Sequence, residues 1–215
     1  MSKCFALPSK IGRDCANVVA GGYTGRGIYI SADAISSGSV TVTDSGSAQL
    51  GSRIYGLVWA SVNVLKEYAF PIENVNQDPL TGSTTAGNTD SGYPMFLKTV
   101  SVRVPKFSDV QSGNNVLKEN SLYMVGSLMA NSARGILLLE RRTNDPIFKY
   151  ELVGMESNAI IDPSSYSADE YANGGDATVN FVSTESYSFG TFQDGTEETD
   201  GKPSTFATMW SNLNE

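Results

Sequence analysis

Hydrophobic and polar positions alternate in short runs along the chain, and glycine, serine and threonine interrupt them every few residues. That punctuation is the pattern of many strands. Runs rich in Val, Ile, Tyr and Phe predict strands at Ile28–Ile30, Ser39–Val42, Arg53–Leu65, Leu97–Val104, Gly135–Arg141, Phe148–Met155 and Ala177–Ser183. Alternation is imperfect in "RIYGLVWASVNVL", so a bulge or bend is expected near Gly56. "GGYTGRG", residues 21–27, matches neither phosphate-loop spacing and leads into the strand-like "IYISAD", so it reads as a turn.

Two stretches have helical spacing. In "ENSLYMVGSLMANS", Leu122, Val125, Leu128 and Met129 share a face, with Asn120 or Ser121 as the cap and Gly126 weakening the run. In "STFATMWSNLNE", Ser204 after Pro203 is the N-cap candidate, and Phe206, Met209, Trp210 and Leu213 share a face. The polar "DGTEETDGKP" before it reads as a linker or exposed arm. The chain thus divides into a β domain, residues 1–190, and a C-terminal arm, 191–215. A helix at the end of a tether either folds back on its own sheet or docks on a neighbouring subunit. Phe206, Met209, Trp210 and Leu213 are the contacts in the second reading.

Residues 71–94, "PIENVNQDPLTGSTTAGNTDSGYP", hold three prolines, three glycines and almost no apolar periodicity, which predicts a long loop. Loops of that size inside a domain are usually functional or disordered, and a partner-binding role is expected here.

Composition narrows the chemistry. With 215 residues and 40% hydrophobic content the chain can bury a core, and its 23 acidic against 15 basic residues give a formal charge of -8. Such a surface repels nucleic acid rather than gathering it. No run reaches the roughly 18 to 20 apolar residues of a membrane helix, and "MSKCFALPSKIG" lacks the apolar core of a secretory signal, so a cytosolic origin without membrane contact is expected. Cys4 and Cys15 read as free thiols without assigned chemistry.

The absence of histidine excludes Ser-His-Asp and Cys-His catalysis and most zinc sites. Asp162, Asp169, Glu170 and Asp176 fail the calcium-loop register, because Asn180 falls where a bidentate Glu is needed. No carboxylate pair is singled out for sugar chemistry. The expectation is a non-enzyme with no catalytic, cofactor-binding or metal-binding residues.

From Tyr93 onward the order of segments is more specific: "YPMFLKTVSVRVP", "NSLYMVGSLMANS", "RGILLLERR", "FKYELVGMESNAI" and "EYANGGDATVNFVSTES". Together with "TGSTTAG" before them, this series resembles the major tail tube proteins of tailed bacteriophages, particularly of Bacteroides-type phages and prophages, over roughly residues 81–188. The resemblance implies a mainly β subunit, a β-sandwich contributing strands to a shared inner barrel, with one packed α-helix and here a C-terminal amphipathic helix. It further implies hexameric rings that stack through a long loop into a channel for genome ejection.

On that reading the inter-ring contacts are Glu73, Asp78, Leu80, Thr81, Thr84 and Asp90, and the lumen-facing acids are Glu140, Glu151 and Glu156. Gly174 and Gly175 open a strand whose Ala177, Val179 and Phe181 point inward while Thr178 and Asn180 face the other way. The partners implied are further copies of the chain, other phage tail proteins and DNA in transit without specific binding. The implied location is the virion tail, assembled in the host bacterial cytoplasm. Two other roles remain open: a neck-ring or capsid-decoration protein, and a carbohydrate-binding or hydrolytic β-sandwich.

Overall fold

A computed structural model of the chain describes residues 22–48, 52–74, 78–88, 94–105, 128–143, 148–168, 176–195 and 202–215. The first half runs β1 (Tyr23–Ser31), α1 (Ala32–Ser36), β2 (Val40–Ala48), β3 (Ser52–Trp59), α2 (Val62–Tyr68), β4 (Ala69–Glu73), β5 (Thr81–Asn88) and β6 (Pro94–Pro105). After a helix α3, of which residues 128–130 are described, come β7 (Gly135–Arg141), β8 (Tyr150–Val153), β9 (Ile160–Ala168), β10 (Asp176–Glu185), β11 (Phe189–Phe192) and α4 (Phe206–Asn214). The fold is mainly β. Among the described residues neither sheet closes into a barrel, and no helix is long and apolar enough to cross a membrane.

The strands form a seven-stranded sheet, β2-β3-β11-β8-β7-β1-β4, and a four-stranded sheet, β5-β6-β10-β9. Strand β7 shows how they pack, because its run "GILLLE" is buried at every position. Successive side chains in a strand point to opposite faces. Ile136 and Leu138 therefore join a core with α1, α2 and α4 on one face of the large sheet, and Leu137 and Leu139 join a second core with the small sheet on the other. Each such buried side chain contributes roughly 1.5–3 kcal/mol. In the second core Val100, Val102, Val179 and Phe181 of the small sheet meet Tyr29, Ile72 and Leu80.

Several expectations need correction. The predicted strand Arg53–Leu65 is β3 followed by α2, because Ser61 caps the helix by accepting the Val64 N–H at 3.3 Å, which starts a turn that seats Leu65 in the core. Of the expected turn at 21–27, Tyr23–Gly27 is strand instead: β1 begins at Tyr23 and bulges before Gly27. No bulge falls at Gly56, which pairs in register with Thr43; the irregularity lies on β2, between Asp44 and Ser47. The expected loop 71–94 contains the end of β4 and all of β5, which pairs with β6 without interruption. Its threonines, serines and glycines show no apolar alternation because both faces of β5 are exposed. Strand β11 straddles residue 190 inside the large sheet, paired with β3 and β8, so the segment after 190 is continuous with the core.

The C-terminal helix is capped by Thr205, one residue after the expected Ser204, and Asp194 Oδ1 accepts the Phe206 N–H at 2.8 Å. Cys4 and Cys15 lie outside the described residues, as do Leu122 and Val125; Leu128 and Met129 pack against the second core.

Candidate functional site

Among the described residues the small sheet presents an open face and an open edge. Register places Thr178, Asn180, Val182 and Thr184 of β10 opposite Arg103, Ser101, Thr99 and Leu97 of β6. On β5 the same rows continue through Thr81, Ser83 and Thr85, and on β9 through Asp162 and Ile160. Directly paired residues share a face, so these side chains look away from the core. Between Thr178 and Thr184 that face carries two charges, Asp162 and Arg103, and Arg103 is paired with Asp78 at 3.2 Å. Ser101 Oγ donates to Asn180 Oδ1 at 2.6 Å, and Leu97 and Ile160 are exposed large hydrophobics.

The two edges of this sheet differ. Pairing of β9 with β10 breaks between Thr178 and Asn180, where several residues including Pro163 bulge out. Bulges and prolines are how natural sheets protect an edge. Strand β5 has neither: its eight residues match β6 one for one, residues 81–87 are all exposed, and "TGSTTAGN" has no charge. An uncharged, regular edge strand is a template for a further strand.

Behind the open face the inward rows turn from apolar to polar. Val102 and Val100 of β6 lead to Lys98, and Val179 and Phe181 of β10 lead to Ser183 and Glu185, all buried. Lys98 Nζ lies 2.9 Å from Glu151 Oε1 on β8, so the ion pair bridges the sheets. Tyr23 donates its hydroxyl to Glu151 Oε2 at 3.0 Å, and Arg141 Nη1 stands 3.7 Å from the same oxygen. Burial, then the Glu151 charge, pushes the Tyr23 hydroxyl far above its usual range, so it stays a donor. Glu185 accepts the Gly154 N–H at 2.7 Å and the Glu156 N–H at 3.2 Å. Its carboxyl is raised by burial, against those bonds and the Lys98 charge. Arg141 Nε and Thr191 Oγ1 are buried nearby without a hydrogen-bond partner among the described residues.

The residues singled out in the sequence scatter across this frame. Thr81 and Thr84 stand on the exposed edge strand; Asp78, just before it, pairs with Arg103; Glu73 is exposed at the end of β4. Leu80 cannot serve as a surface contact, because it is 2% exposed and sealed in the second core. Asp90 lies outside the described residues. Glu140 and Glu151 are buried in the large sheet and do not face the open side of the small one. Glu156 is exposed but sits in the turn after β8, where it accepts from the backbone and hydroxyl of Ser186.

Phe206 and Met209 are buried against their own chain, so the helix takes the fold-back reading. Phe206 stacks on Tyr150 at 4.8 Å, Trp59 Nε1 donates to Met209 Sδ at 3.2 Å, and Trp210 and Leu213 pack beside them.

No family model, curated protein or solved structure matches the chain. Among the described residues no three His, Cys, Asp or Glu side chains gather in a way that would hold a metal.

Sequence reasoning missed the buried polar network, although it left a trace. Lys98 falls in phase with Val100 and Val102, and Glu185 in phase with Val179 and Phe181, so each interrupts an inward apolar row. A charge at such a position needs a partner inside the fold.

Proposed function

We propose that the chain is a virion structural protein, the tail tube subunit of a tailed bacteriophage, which assembles through the open edge of its small sheet into rings that stack as a channel for the genome. The single observation carrying this reading is β5, a regular, uncharged strand exposed over residues 81–87 and, among the described residues, paired on one side alone, an edge that a protein working by itself would have had to protect. The strand count supports it. Neighbours in β5-β6-β10-β9 are antiparallel and the number is even, so a copy placed head to tail, with the regular start of its β9 at Ile160–Asp162, ahead of the bulge, beside β5, continues the antiparallel alternation. A closed barrel then forms only between copies, which is consistent with two packed open sheets in one subunit.

Six copies of four strands give a barrel of roughly 24 strands. With strands about 4.8 Å apart and tilted about 40°, its backbone diameter is roughly 50 Å, wider than a DNA duplex. The open face would line the channel, and its hydroxyl and amide side chains offer phosphates almost no cation to hold them. In this reading the wall carries few charges, is polar around Ser101 and Asn180 and apolar at Leu97 and Ile160, and Glu140 and Glu151 have an internal role.

Electron microscopy of the purified protein over a range of concentrations tests the proposal. Hollow rings or tubes are expected; solid aggregates or particles of one or two copies at every concentration would overturn it.

A further inference from the structure

A cleft of about 480 Å³ opens beside the bulge of β1, where α4 meets the large sheet, and it shares no residue with the assembly surface. Its volume falls within the range of small-molecule sites. The bulge builds it: Tyr23 pairs with Arg141 and Gly27 with Leu139, so Thr24, Gly25 and Arg26 are set against Glu140 alone. Bulges re-aim side chains in this way. Glu140 Oε2 accepts from Thr24 Oγ1 at 2.9 Å and from Arg26 Nε at 2.9 Å, with Arg26 Nη2 2.7 Å away. The guanidinium so fixed lies 5.5 Å from the centre of the Trp210 indole. Glu73, at the end of β4, and Arg142, just beyond β7, line the cleft from either side of β1 and have no ion-pair partner among the described residues.

The lining selects a ligand class by elimination. A metal ion would find too few ligands. A phosphate or other anion would meet two carboxylates and the carbonyl end of α4, where Trp210 O accepts from Asn214 Nδ2. A cation would meet two guanidiniums, and an apolar molecule would strip water from all of these groups without replacing it. The charges of the lining cancel, and its carboxylate, guanidinium and amide groups are planar donors and acceptors suited to neighbouring hydroxyls. Trp210, which stacks on Phe206 and carries the Arg26 guanidinium over its ring, closes the cleft beside these groups as a reporter of whatever they bind.

We propose that this cleft binds a neutral saccharide, with Glu73 and Arg142 bonding its hydroxyls and Arg26, held by Glu140, as a fixed donor. The proposal is independent of the assembly reading.

Tryptophan emission, titrated with neutral tetrasaccharides of glucose, mannose, galactose and N-acetylglucosamine and with inorganic phosphate, tests it. Trp59 is fully buried, so Trp210 is the responsive indole. Saturation is expected with at least one tetrasaccharide and not with phosphate. Glu73→Gln and Arg142→Ala, both at exposed positions, should each weaken that binding about tenfold, roughly 1.4 kcal/mol, without lowering the melting temperature. Failure of all four tetrasaccharides to saturate, saturation by phosphate instead, or unchanged affinity in both variants would overturn the proposal.

Discussion

Lys98 of the small sheet and Glu151 of the large sheet form a buried ion pair at 2.9 Å, with Lys98 2% exposed and Glu151 4%. Removing one partner of such a pair leaves a charge without its counter-charge, and this usually costs about 3–5 kcal/mol. Glu151→Gln should therefore lose stability on that order in urea unfolding. The double variant Lys98→Met, Glu151→Gln keeps an acceptor for Tyr23, and should recover most of the loss. If the double variant is as unstable as the single one, packing and not charge pairing is the reason.

A second prediction concerns pH. Burial raises the Glu185 carboxyl, so the folded chain holds this proton more tightly than the unfolded chain does. The stability it contributes is complete below the ordinary carboxylate pKa and is lost as pH rises through the raised value. Glu185→Gln still accepts the Gly154 N–H and should remove that part of the decline. Urea midpoints from acid to neutral pH test this; parallel curves for the two proteins would refute it.

Gly82 on β5 has a packing reason. A Cβ there would run into the Tyr23 ring, and the ring cannot swing freely because its hydroxyl is bound to Glu151. Gly82→Val should cost about 1–3 kcal/mol through overpacking and displace β5. Hydrogen exchange should show the opening confined to β5 and its pairing with β6. Wild-type protection there would contradict the placement of Tyr23.

The C-terminal helix should behave as core. Phe206→Ala is expected to lose about 3–5 kcal/mol while the oligomeric state stays as in the wild type. Loss of assembly with unchanged stability would instead place the helix on a neighbouring subunit.

Legibility in the sequence followed burial. Strand β7 was readable to the residue because a run of four apolar and two charged residues after Gly135 has no helical period. The inward Val179 and Phe181 and the outward Thr178 and Asn180 were readable because β10 has one face in the core. Strand β5 was not, since with both faces exposed nothing selects apolar side chains at alternate positions. Helix α2 was hidden behind Trp59 because a β-branched run with a short polar cap reads as more strand until Ser61 is seen to cap it. The small-molecule cleft depends on a bulge that brings Arg26 to Glu140 across 114 positions of sequence, which no local pattern encodes.

The most direct test of the assembly claim is sedimentation and negative-stain microscopy of the wild type beside Ser83→Lys, Thr85→Lys. Both positions are exposed on β5 and pair with Thr99 and Leu97 on the open face, away from Lys98, and lysines on an edge strand oppose the addition of another strand. The prediction is hollow rings or tubes for the wild type and folded single copies, with an unchanged melting temperature, for the variant. Rings formed equally by both proteins, or by neither, would contradict assembly through this edge.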